Sequence, residues 1–482
     1  IVFGDWSSDV CSSDLVTFVN RTSMPVRLYG LDFEGARRAY GGIEPGGERR
    51  QHTFGGHVWL AAGEGGQVLA VFEAADEASV AVIGGEGTRA RRRSPERRSR
   101  DGLTSPDGLW QAYFADHNLQ VRDLESGEEF SLSTDGTAED AYDGRVYWSP
   151  DSKRVVAVRT RKGGDRKVYY VESSPKDQLQ PKLHSYHYLK PGDEIPRPRP
   201  VLFDLEERRM IRLDDARFAE PWSITDLRWR PDGREFTFVY NERGHQVLRV
   251  LAVDAETGAV RVVVDERSAT FIDYAGKQYL RHLEQTGELI WMSERDGWNH
   301  LYLYDVASGA VKSQLTRGPW VVREVDRVDE ASRQVWFQAG GVYPDQDPYL
   351  VHYGRVNLDG SGFTILTQGN GTHALAYSPT GRFFVDTWSR VDLPPVTELR
   401  RAADGGLVCE LERADVSALE ATGWRAPEPF VARGRDGETD IHGLIVRPTH
   451  FDPTRRYPVV EQIYAGPQSA HVPKAFRAFY EM

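Results

Sequence analysis

The chain has 482 residues, 40% of them hydrophobic and 27% charged, and its formal net charge is -12 at pH 7. This apolar content supports a buried core, so a wholly disordered chain is excluded. The negative charge argues against a nucleic-acid-binding protein, because phosphate recognition needs a basic surface. No apolar run reaches the roughly 18 residues of a membrane-spanning helix. Two cysteines do not suffice for a disulfide framework or a zinc site, and neither a metal nor a cofactor is predicted.

The first 15 residues show no secondary-structure pattern. A secretory signal has a basic start, an apolar centre and a small-residue cleavage site, and IVFGDWSSDVCSSDL has none of these. Residues 5–15 resemble the translation of a sequencing-library adapter. We therefore expect residues 1–15 to be an artefact or disordered, with the natural sequence beginning near Val16; a serine-rich tail is the alternative.

Residues 16–82 are predicted to form a small β-sandwich. The stretches VTFVN, PVRLYGLDF, HVWLAA and VLAVFEA are apolar or alternating, and Gly-rich turns separate them. The next segment, residues 83–100, has seven arginines between Arg89 and Arg100. Such a charged stretch is typical of a solvated linker.

Residues 101–425 repeat two short patterns. A turn recurs before apolar strands at Ser105–Gly108, Trp148–Ser152, Trp229–Gly233 and Tyr377–Gly381. Hairpins with Asp-x-x-Ser/Thr-Gly turns also recur, as in LRVLAVDAETGAVRVVV and LYLYDVASGAVKSQL. Two hairpins in about 40–45 residues are typical of a β-propeller blade, so the region predicts seven or eight blades. Unrelated β-sandwiches, the alternative, would not explain this recurrence.

Residues 426–482 differ in character. An alternating pattern surrounds an RDGE turn, and an apolar run, VVEQIYA, then ends in Gly-Pro. A short apolar strand followed by such a loop is typical of a buried strand in an α/β sheet. We expect the start of an incomplete α/β domain.

From about residue 101 onward the chain resembles the dipeptidyl peptidase IV branch of the prolyl oligopeptidase family of serine peptidases. The stretches that carry this resemblance are SPDGLWQAYFADHNLQVRD, VYWSPDSKRVVAV, WMSERDGWNHLYLYD and PTHFDPTRRYPVVEQIYAGPQS. The resemblance implies an eight-bladed propeller that caps an α/β-hydrolase domain with a Ser–Asp–His triad. It also implies peptide or protein substrates, a homodimer of the full-length protein and a periplasmic or secreted location.

The resemblance places Tyr464 at the oxyanion tyrosine of the family's YAGP or YGGP motif. A phenol O–H can donate a hydrogen bond to the oxyanion of acyl transfer, although the pattern alone also allows a core tyrosine. The sequence has no G-x-S-x-G motif, and the family's triad lies downstream of this segment. His442, His450 and His471 match no catalytic position and are interpreted as solvated residues. The polypeptide is expected to be inactive by itself.

The sequence departs from the family at the amine-binding site. Dipeptidyl peptidases hold the free amine of the substrate with a Glu-Glu pair on an insertion before a WWSP-like strand. The corresponding stretch here is TDGTAEDAYDGRVYWSP, in which Glu139 and Asp140 are adjacent but the insertion is missing. We interpret both acids as solvent-facing, which leaves exo- and endopeptidase specificity open.

The N-terminal module resembles the β-domain of the von Hippel-Lindau tumour suppressor, along LDFEG and RRQHTFGGHVW. That domain binds 4-hydroxyproline, and the resemblance places Tyr40, Thr53, His57 and Trp59 at the pocket positions. Aromatic rings can stack on a pyrrolidine, and a hydroxyl and an imidazole can hydrogen-bond its OH group. The alternative is that His57 and Trp59 pack the core of the module.

Two functions follow. The first is a serine peptidase whose N-terminal module recruits hydroxyproline- or proline-rich peptides. The alternative is a non-catalytic propeller that binds peptides, which the missing triad and the missing Glu-Glu pair favour.

Overall fold

The computed structural model describes residues 14–31, 37–53, 58–63, 67–73, 79–84, 103–464 and 470–479. The chain divides into two compact units, Ile1–Ser99 and Arg100–Met482. The regular structure of the described residues is almost entirely β-strand. Among these residues, no helix is long and apolar enough to cross a membrane.

The first unit has two sheets, with strand orders β4-β1-β7 and β3-β2-β5-β6. Its strands are β1 (Asp14–Asn20), β2 (Val26–Leu31), β3 (Arg37–Ile43), β4 (Glu48–Thr53), β5 (Val58–Gly63), β6 (Val68–Glu73) and β7 (Ser79–Ile83). Phe18, Leu28 and Trp59 lie in its shared apolar core. Strand β1 begins two residues before the expected Val16, because the backbone of Asp14 still pairs with Thr53.

The described residues of the second unit contain six successive antiparallel sheets of three or four strands, which we call blades 1–6, and two separate hairpins. Blade 1 comprises β8 (Trp110–Ala115), β9 (Asn118–Asp123) and β10 (Glu129–Ser131); blade 2 comprises β11 (Asp140–Trp148), β12 (Arg154–Arg161), β15 (Arg197–Asp204) and β16 (Arg209–Ile211). Between β12 and β15 a separate hairpin, which we call the arm, consists of β13 (Lys167–Glu172) and β14 (Lys182–His187).

Blades 3–6 each have four strands in sequence order. Blade 3 comprises β17 (Pro221–Trp229), β18 (Glu235–Glu242), β19 (Val247–Asp254) and β20 (Val260–Arg267); blade 4 comprises β21 (Leu280–Leu283), β22 (Glu288–Ser293), β23 (His300–Asp305) and β24 (Val311–Gln314). Blade 5 comprises β25 (Val321–Asp329), β26 (Gln334–Gly340), β27 (His352–Asn357) and β28 (Thr364–Ile365); blade 6 comprises β29 (Thr372–Tyr377), β30 (Phe383–Arg390), β31 (Leu393–Arg401) and β32 (Leu407–Arg413).

The number of blades differs from the expectation. Six blade-like sheets lie between Trp110 and Arg413, whereas the length of the region predicted seven or eight. The arm accounts for part of the difference, because it inserts a long excursion into blade 2 without adding a blade. The hairpins that the turn pattern predicted are present, and the total of eight blades stays a prediction.

Turn chemistry explains the outer hairpins. At the β19–β20 turn, the Asp254 side chain accepts hydrogen bonds from the backbone N–H and the hydroxyl of Thr257. Gly258 follows with φ +72°, and a Cβ at this position would lie 2.3 Å from the carbonyl oxygen of Arg212. Only glycine fits this close approach, which is why the pattern ends in Gly.

Apolar side chains from neighbouring blades join into shared clusters. The clusters at the 1–2, 2–3, 3–4 and 4–5 interfaces each contain between 11 and 13 buried residues. Two tryptophans of the recurring turn reinforce this packing, because the Nε1–H of Trp148 donates to Leu103 O at 3.2 Å and that of Trp229 donates to Tyr147 O at 3.0 Å. We call these tryptophan–carbonyl bonds interblade clamps.

The C-terminal part confirms one expectation and corrects another. After α1 (Ser417–Glu420), the predicted hairpin is present as β33 (Glu428–Arg433) and β34 (Asp440–Ile445). The described part of the run VVEQIYA, residues 459–464, does not form the predicted buried strand: Val459 is 91% exposed and Val460 81% exposed. None of the described residues offers this run a partner strand, so its backbone stays unpaired.

Acid should weaken the 4–5 interface through Glu288, which is 2% exposed. Burial alone would raise the pKa of this carboxyl, but hydrogen bonds from Arg333, Lys312 and Thr286 outweigh burial and lower the pKa to about 2. A lowered pKa stabilises the fold above the unfolded value of about 4.3, and this contribution is lost as the pH falls toward 2.

Glu288→Gln should therefore reduce the free energy of unfolding by about 2 kcal/mol at pH 7 and by much less near pH 2.5. Urea unfolding at both pH values measures the difference. Glu294→Gln is the control, because Glu294 pairs with Lys277 in a more exposed setting. The same loss for Glu288→Gln at both pH values would contradict the assignment.

Candidate functional site

One end of the blades, which we call the loop face, carries the longer connections of the blades. In each four-stranded blade the first strand begins there, and the loop between the second and third strands lies there. The loops that connect one blade to the next also reach this end. Since these loops do not pair in the sheets, their side chains are free to form a site.

Blade 2 carries a charge cluster at the loop face, around the adjacent acids Glu139 and Asp140. Asp140 accepts from Arg199 at 2.6 Å and lies 3.1 Å from the Nε of Arg159. Asp135 also pairs with Arg159, whereas Glu139 is exposed. The two guanidinium groups neutralise Asp140, so Glu139 and Asp140 do not form a free anionic pair for a substrate amine.

A cavity of about 170 Å³ opens beside the connection between blades 3 and 4. Its most buried charge is Glu266, which is 7% exposed. Glu266 accepts hydrogen bonds from Trp291 at 3.1 Å, Ser293 at 2.8 Å and Arg295 at 2.7 Å. These bonds fix Arg295 at the cavity, whose size suits one side chain rather than a whole drug-sized ligand.

An aromatic cluster of Trp222, His245, Phe271 and Tyr274 lies beside this cavity, with Trp222 at the start of β17 and the other three residues in loops. The ring of His245 stacks on Tyr274 at 4.4 Å between centroids and meets the edges of Trp222 at 5.0 Å and Phe271 at 5.5 Å. Trp222 and Phe271 are each 38% exposed, and Phe271 also lines the cavity. Burial lowers the pKa of His245, so the cluster is neutral at pH 7 and offers flat apolar surfaces.

The sequence patterns did not single out this cavity or this cluster as a site. Arg295 lies in WMSERDGWNHLYLYD, a stretch that carries the family resemblance and no motif of its own for a site. Trp222 lies at the start of β17 and Phe271 in the connection between β20 and β21, and neither belongs to a repeated pattern. Their proximity follows from the way that consecutive blades are arranged, and local sequence does not show it.

The predicted oxyanion residue Tyr464 is 55% exposed and lies in a segment without regular structure. Its ring is 5.3 Å from the ring of His471. His442, expected to be solvated, instead packs 5.4 Å from the ring of Tyr349 and lies 3.6 Å from Asp347. His450 is exposed, as expected.

The four predicted pocket residues of the first unit are described only in part. Tyr40 is half-buried, and its ring lies edge-on to Trp59 with the centroids 4.8 Å apart. Trp59 is 3% exposed and also packs against Phe18, so it contributes to the core. Thr53 is the last residue of β4, with its side chain outside the described structure, and His57 lies outside the described residues.

Two family models match the chain. Residues 87–395 match the dipeptidyl peptidase IV N-terminal region, which is well over half of the chain. Residues 7–69 match the VHL beta domain. This second match begins inside residues 5–15, and their interpretation as an adapter remnant stays a prediction.

Individual relatives agree with the first match. A dipeptidyl-aminopeptidase B of Emericella nidulans is 23% identical over 425 residues, which cover 79% of this chain and 46% of the relative. The corresponding protein of Tuber melanosporum is 24% identical over 438 residues, which cover 79% of this chain and 46% of the relative. The chain thus spans less than half the length of these relatives.

Solved structures show the same fold. The crystal structure of Porphyromonas gingivalis dipeptidyl peptidase 4 matches with a TM-score of 0.55 at 21% identity, over 78% of this chain and 54% of that chain. A dipeptidyl aminopeptidase IV structure from Bacteroides ovatus matches with a TM-score of 0.53 at 20% identity. The match covers 89% of this chain and 59% of that chain.

Proposed function

The chain belongs to the family defined by the dipeptidyl peptidase IV N-terminal region, and from this premise we propose that it is the propeller-bearing part of a serine peptidase. The observation that carries the proposal is the family match over the blades. The enzyme would cleave peptide bonds through an acyl-enzyme, with the propeller controlling access of peptides to the hydrolase domain. The nucleophile would come from sequence beyond the present chain, which has no G-x-S-x-G motif.

The loop face supplies the features that a peptide-binding surface needs. The aromatic cluster offers flat surfaces on which proline rings and apolar side chains stack. The cavity beside it is polar at Glu266 and Arg295, so it can orient one side chain of a peptide. Because Asp140 is already paired with two arginines, we propose that anchoring of a free N-terminal amine by Glu139 and Asp140 is not part of recognition.

The full-length protein should react with a fluorophosphonate serine probe and cleave proline-containing peptides, whereas the 482-residue chain alone should do neither. Tyr464→Phe in the full-length protein should lower kcat by about 100-fold, the effect of losing one oxyanion donor. Steady-state kinetics measures this change. Tyr457→Phe is the matched control, because the Tyr457 hydroxyl accepts a hydrogen bond from the backbone of Asp452.

A full-length protein that the probe does not label, but that still binds proline peptides, would overturn the peptidase proposal. It would support the alternative, a non-catalytic peptide-binding propeller. Labelling with an unchanged kcat in Tyr464→Phe would overturn only the oxyanion role.

We further propose that the first unit binds hydroxyproline-containing peptides at Tyr40, Thr53, His57 and Trp59. The match to the VHL beta domain supports this proposal, as does the half-buried Tyr40 ring beside Trp59. Trp59 is a poor probe, because its removal would also damage the core.

Thr53→Val should weaken binding of a hydroxyproline peptide by about five-fold, because it removes one hydroxyl hydrogen bond and keeps the shape of the side chain, while the proline counterpart binds weakly to both proteins. Isothermal calorimetry measures the two affinities. Tyr29→Phe in β2 is the control. Equal affinity of the wild-type protein for the two peptides would exclude a hydroxyproline pocket.

We also propose that the full-length protein is a homodimer and that the arm contributes to the interface. Its register places Tyr169, Val171 and Leu183 on one face, and these side chains are 61–70% exposed. A two-stranded hairpin with uncovered apolar faces is marginally stable in water, so a second copy of the chain would stabilise it.

Leu183→Asp should shift the full-length protein from dimer to monomer at micromolar concentration, because a charge would replace an apolar contact. Analytical ultracentrifugation measures the mass. Val311→Asp is the control, since Val311 is exposed at the start of β24 in blade 4. A wild-type protein that is monomeric at the same concentration would contradict the proposal.

A further inference from the structure

The interface between blades 5 and 6, which we call the seam, differs from the other interblade interfaces. Its apolar cluster has four buried residues, Trp336, Leu366, Phe384 and Ala402. The apolar clusters at the other four interfaces each contain 11 to 13 buried residues. The small cluster at the seam is not explained by the position of blade 6 at the end of the series. Blade 1 is also terminal among the described blades, yet its interface with blade 2 contains 12 buried residues. The seam therefore gains far less stability from apolar burial.

The two interblade clamps lie at the 1–2 and 2–3 interfaces, and at the seam the recurring turn carries a tyrosine instead of the tryptophan. The recurring turn places Trp148 and Trp229 against a carbonyl of the preceding blade, but blade 6 has Tyr377 at this position. The Tyr377 hydroxyl is buried and has no hydrogen-bond partner. An unpaired buried hydroxyl is destabilising. Where Trp148 and Trp229 form a stabilising hydrogen bond to the preceding blade, Tyr377 therefore contributes an unfavourable buried hydroxyl.

Further unpaired donors lie at the same interface. The Nε1–H of Trp336 and the Nε–H of Arg355 are buried without a partner, and these two residues pair across β26 and β27. Across the seam, Arg327 stacks between Trp336 at 3.8 Å and Tyr377 at 5.4 Å. This stacking partly offsets the unpaired groups but does not satisfy them.

The interior of blade 6 is polar rather than apolar. His373 and Asp386 are fully buried as a pair at 2.8 Å, and Asp386 also faces Arg400 at 3.3 Å. Arg400 pairs in turn with Glu398 at 2.7 Å. A buried ionic network gives little net stability, because desolvation of the charges offsets their attraction. Blade 6 therefore contributes little apolar packing toward blade 5.

Residues 470–479, which we call the strap, cross the seam at the loop face. Lys474 donates to Asp347 of blade 5 at 2.6 Å, and its carbonyl accepts from Thr372 of blade 6 at 3.2 Å. The backbone N–H of Phe476 donates to Ser389 of blade 6 at 3.1 Å. The strap thus ties the two blades where their own packing is weakest.

We propose that the seam is the place where this propeller opens and that the strap holds it closed. The strap follows the hairpin β33–β34 in the chain, so displacement of this C-terminal region would loosen blade 6. Opening at the seam would change the conformational stability of the propeller and does not depend on peptidase activity.

Hydrogen exchange followed by mass spectrometry on the 482-residue chain tests the proposal. In the wild-type protein, β29–β32 should exchange faster than β17–β20 under native conditions. Lys474→Met should accelerate exchange in β29–β32 by about five-fold and leave β17–β20 unchanged. Lys277→Met is the matched control, because Lys277 pairs with Glu294 at 2.6 Å away from the seam.

Two further variants keep the test decisive if Lys474→Met does not fold. Thr372→Val removes one strap contact with little change in shape and should also accelerate exchange in blade 6. Tyr377→Phe removes the unpaired hydroxyl and should slow exchange there. The proposal is overturned if all blades of the wild-type protein exchange equally. It is also overturned if exchange in blade 6 is unchanged in both Lys474→Met and Thr372→Val. Faster exchange of blade 6 in Tyr377→Phe would show that the hydroxyl of Tyr377 does not weaken the seam.

Discussion

A propeller blade has two apolar faces, and it buries them only against the blades on either side. This constraint explains where the large side chains of the second unit lie. Phe236 and Phe238 pack in the cluster between blades 2 and 3, and Trp291 packs between blades 3 and 4. The clamps from Trp148 and Trp229 add a directional bond to the same contact. Stability therefore resides in the interfaces between sheets, and each interface has its own strength.

This distribution leaves the loop face available for recognition. The paired arginines of blade 2, the cavity at Glu266 and the aromatic cluster lie at strand ends and in connections at this face. Because each interface is packed separately, the seam can have low stability while the other interblade interfaces stay intact. A surface for peptides and a place for opening are thus different parts of one architecture.

The sequence predicted much of the local structure and less of the site. The Asp-x-x-Ser/Thr-Gly turns predicted hairpins such as β19–β20, because Asp254 and Gly258 act within a few residues of each other. Six blade-like sheets are present among the described residues, and the predicted total of eight blades stays a prediction; the arm has the hairpin pattern of a blade but pairs with no other strand. Tyr464 was expected at the end of a buried strand, yet VVEQIYA lacks a partner among the described residues and stays exposed. Asp140 was interpreted as solvent-facing, since its partners Arg159 and Arg199 are far apart in sequence.

Turns and alternating strands are encoded by neighbouring residues, so the sequence by itself determined the mainly β class, the repeating hairpins and the family resemblance. Only the tertiary structure decided which charges are neutralised, which aromatic rings meet at the loop face and which interblade interface is weak. Each of these depends on residues from different blades, whose separations in sequence carry no periodic signal. The unpaired hydroxyl of Tyr377 shows the difference: the turn pattern identifies its position, but only the packed neighbours reveal that it lacks a partner.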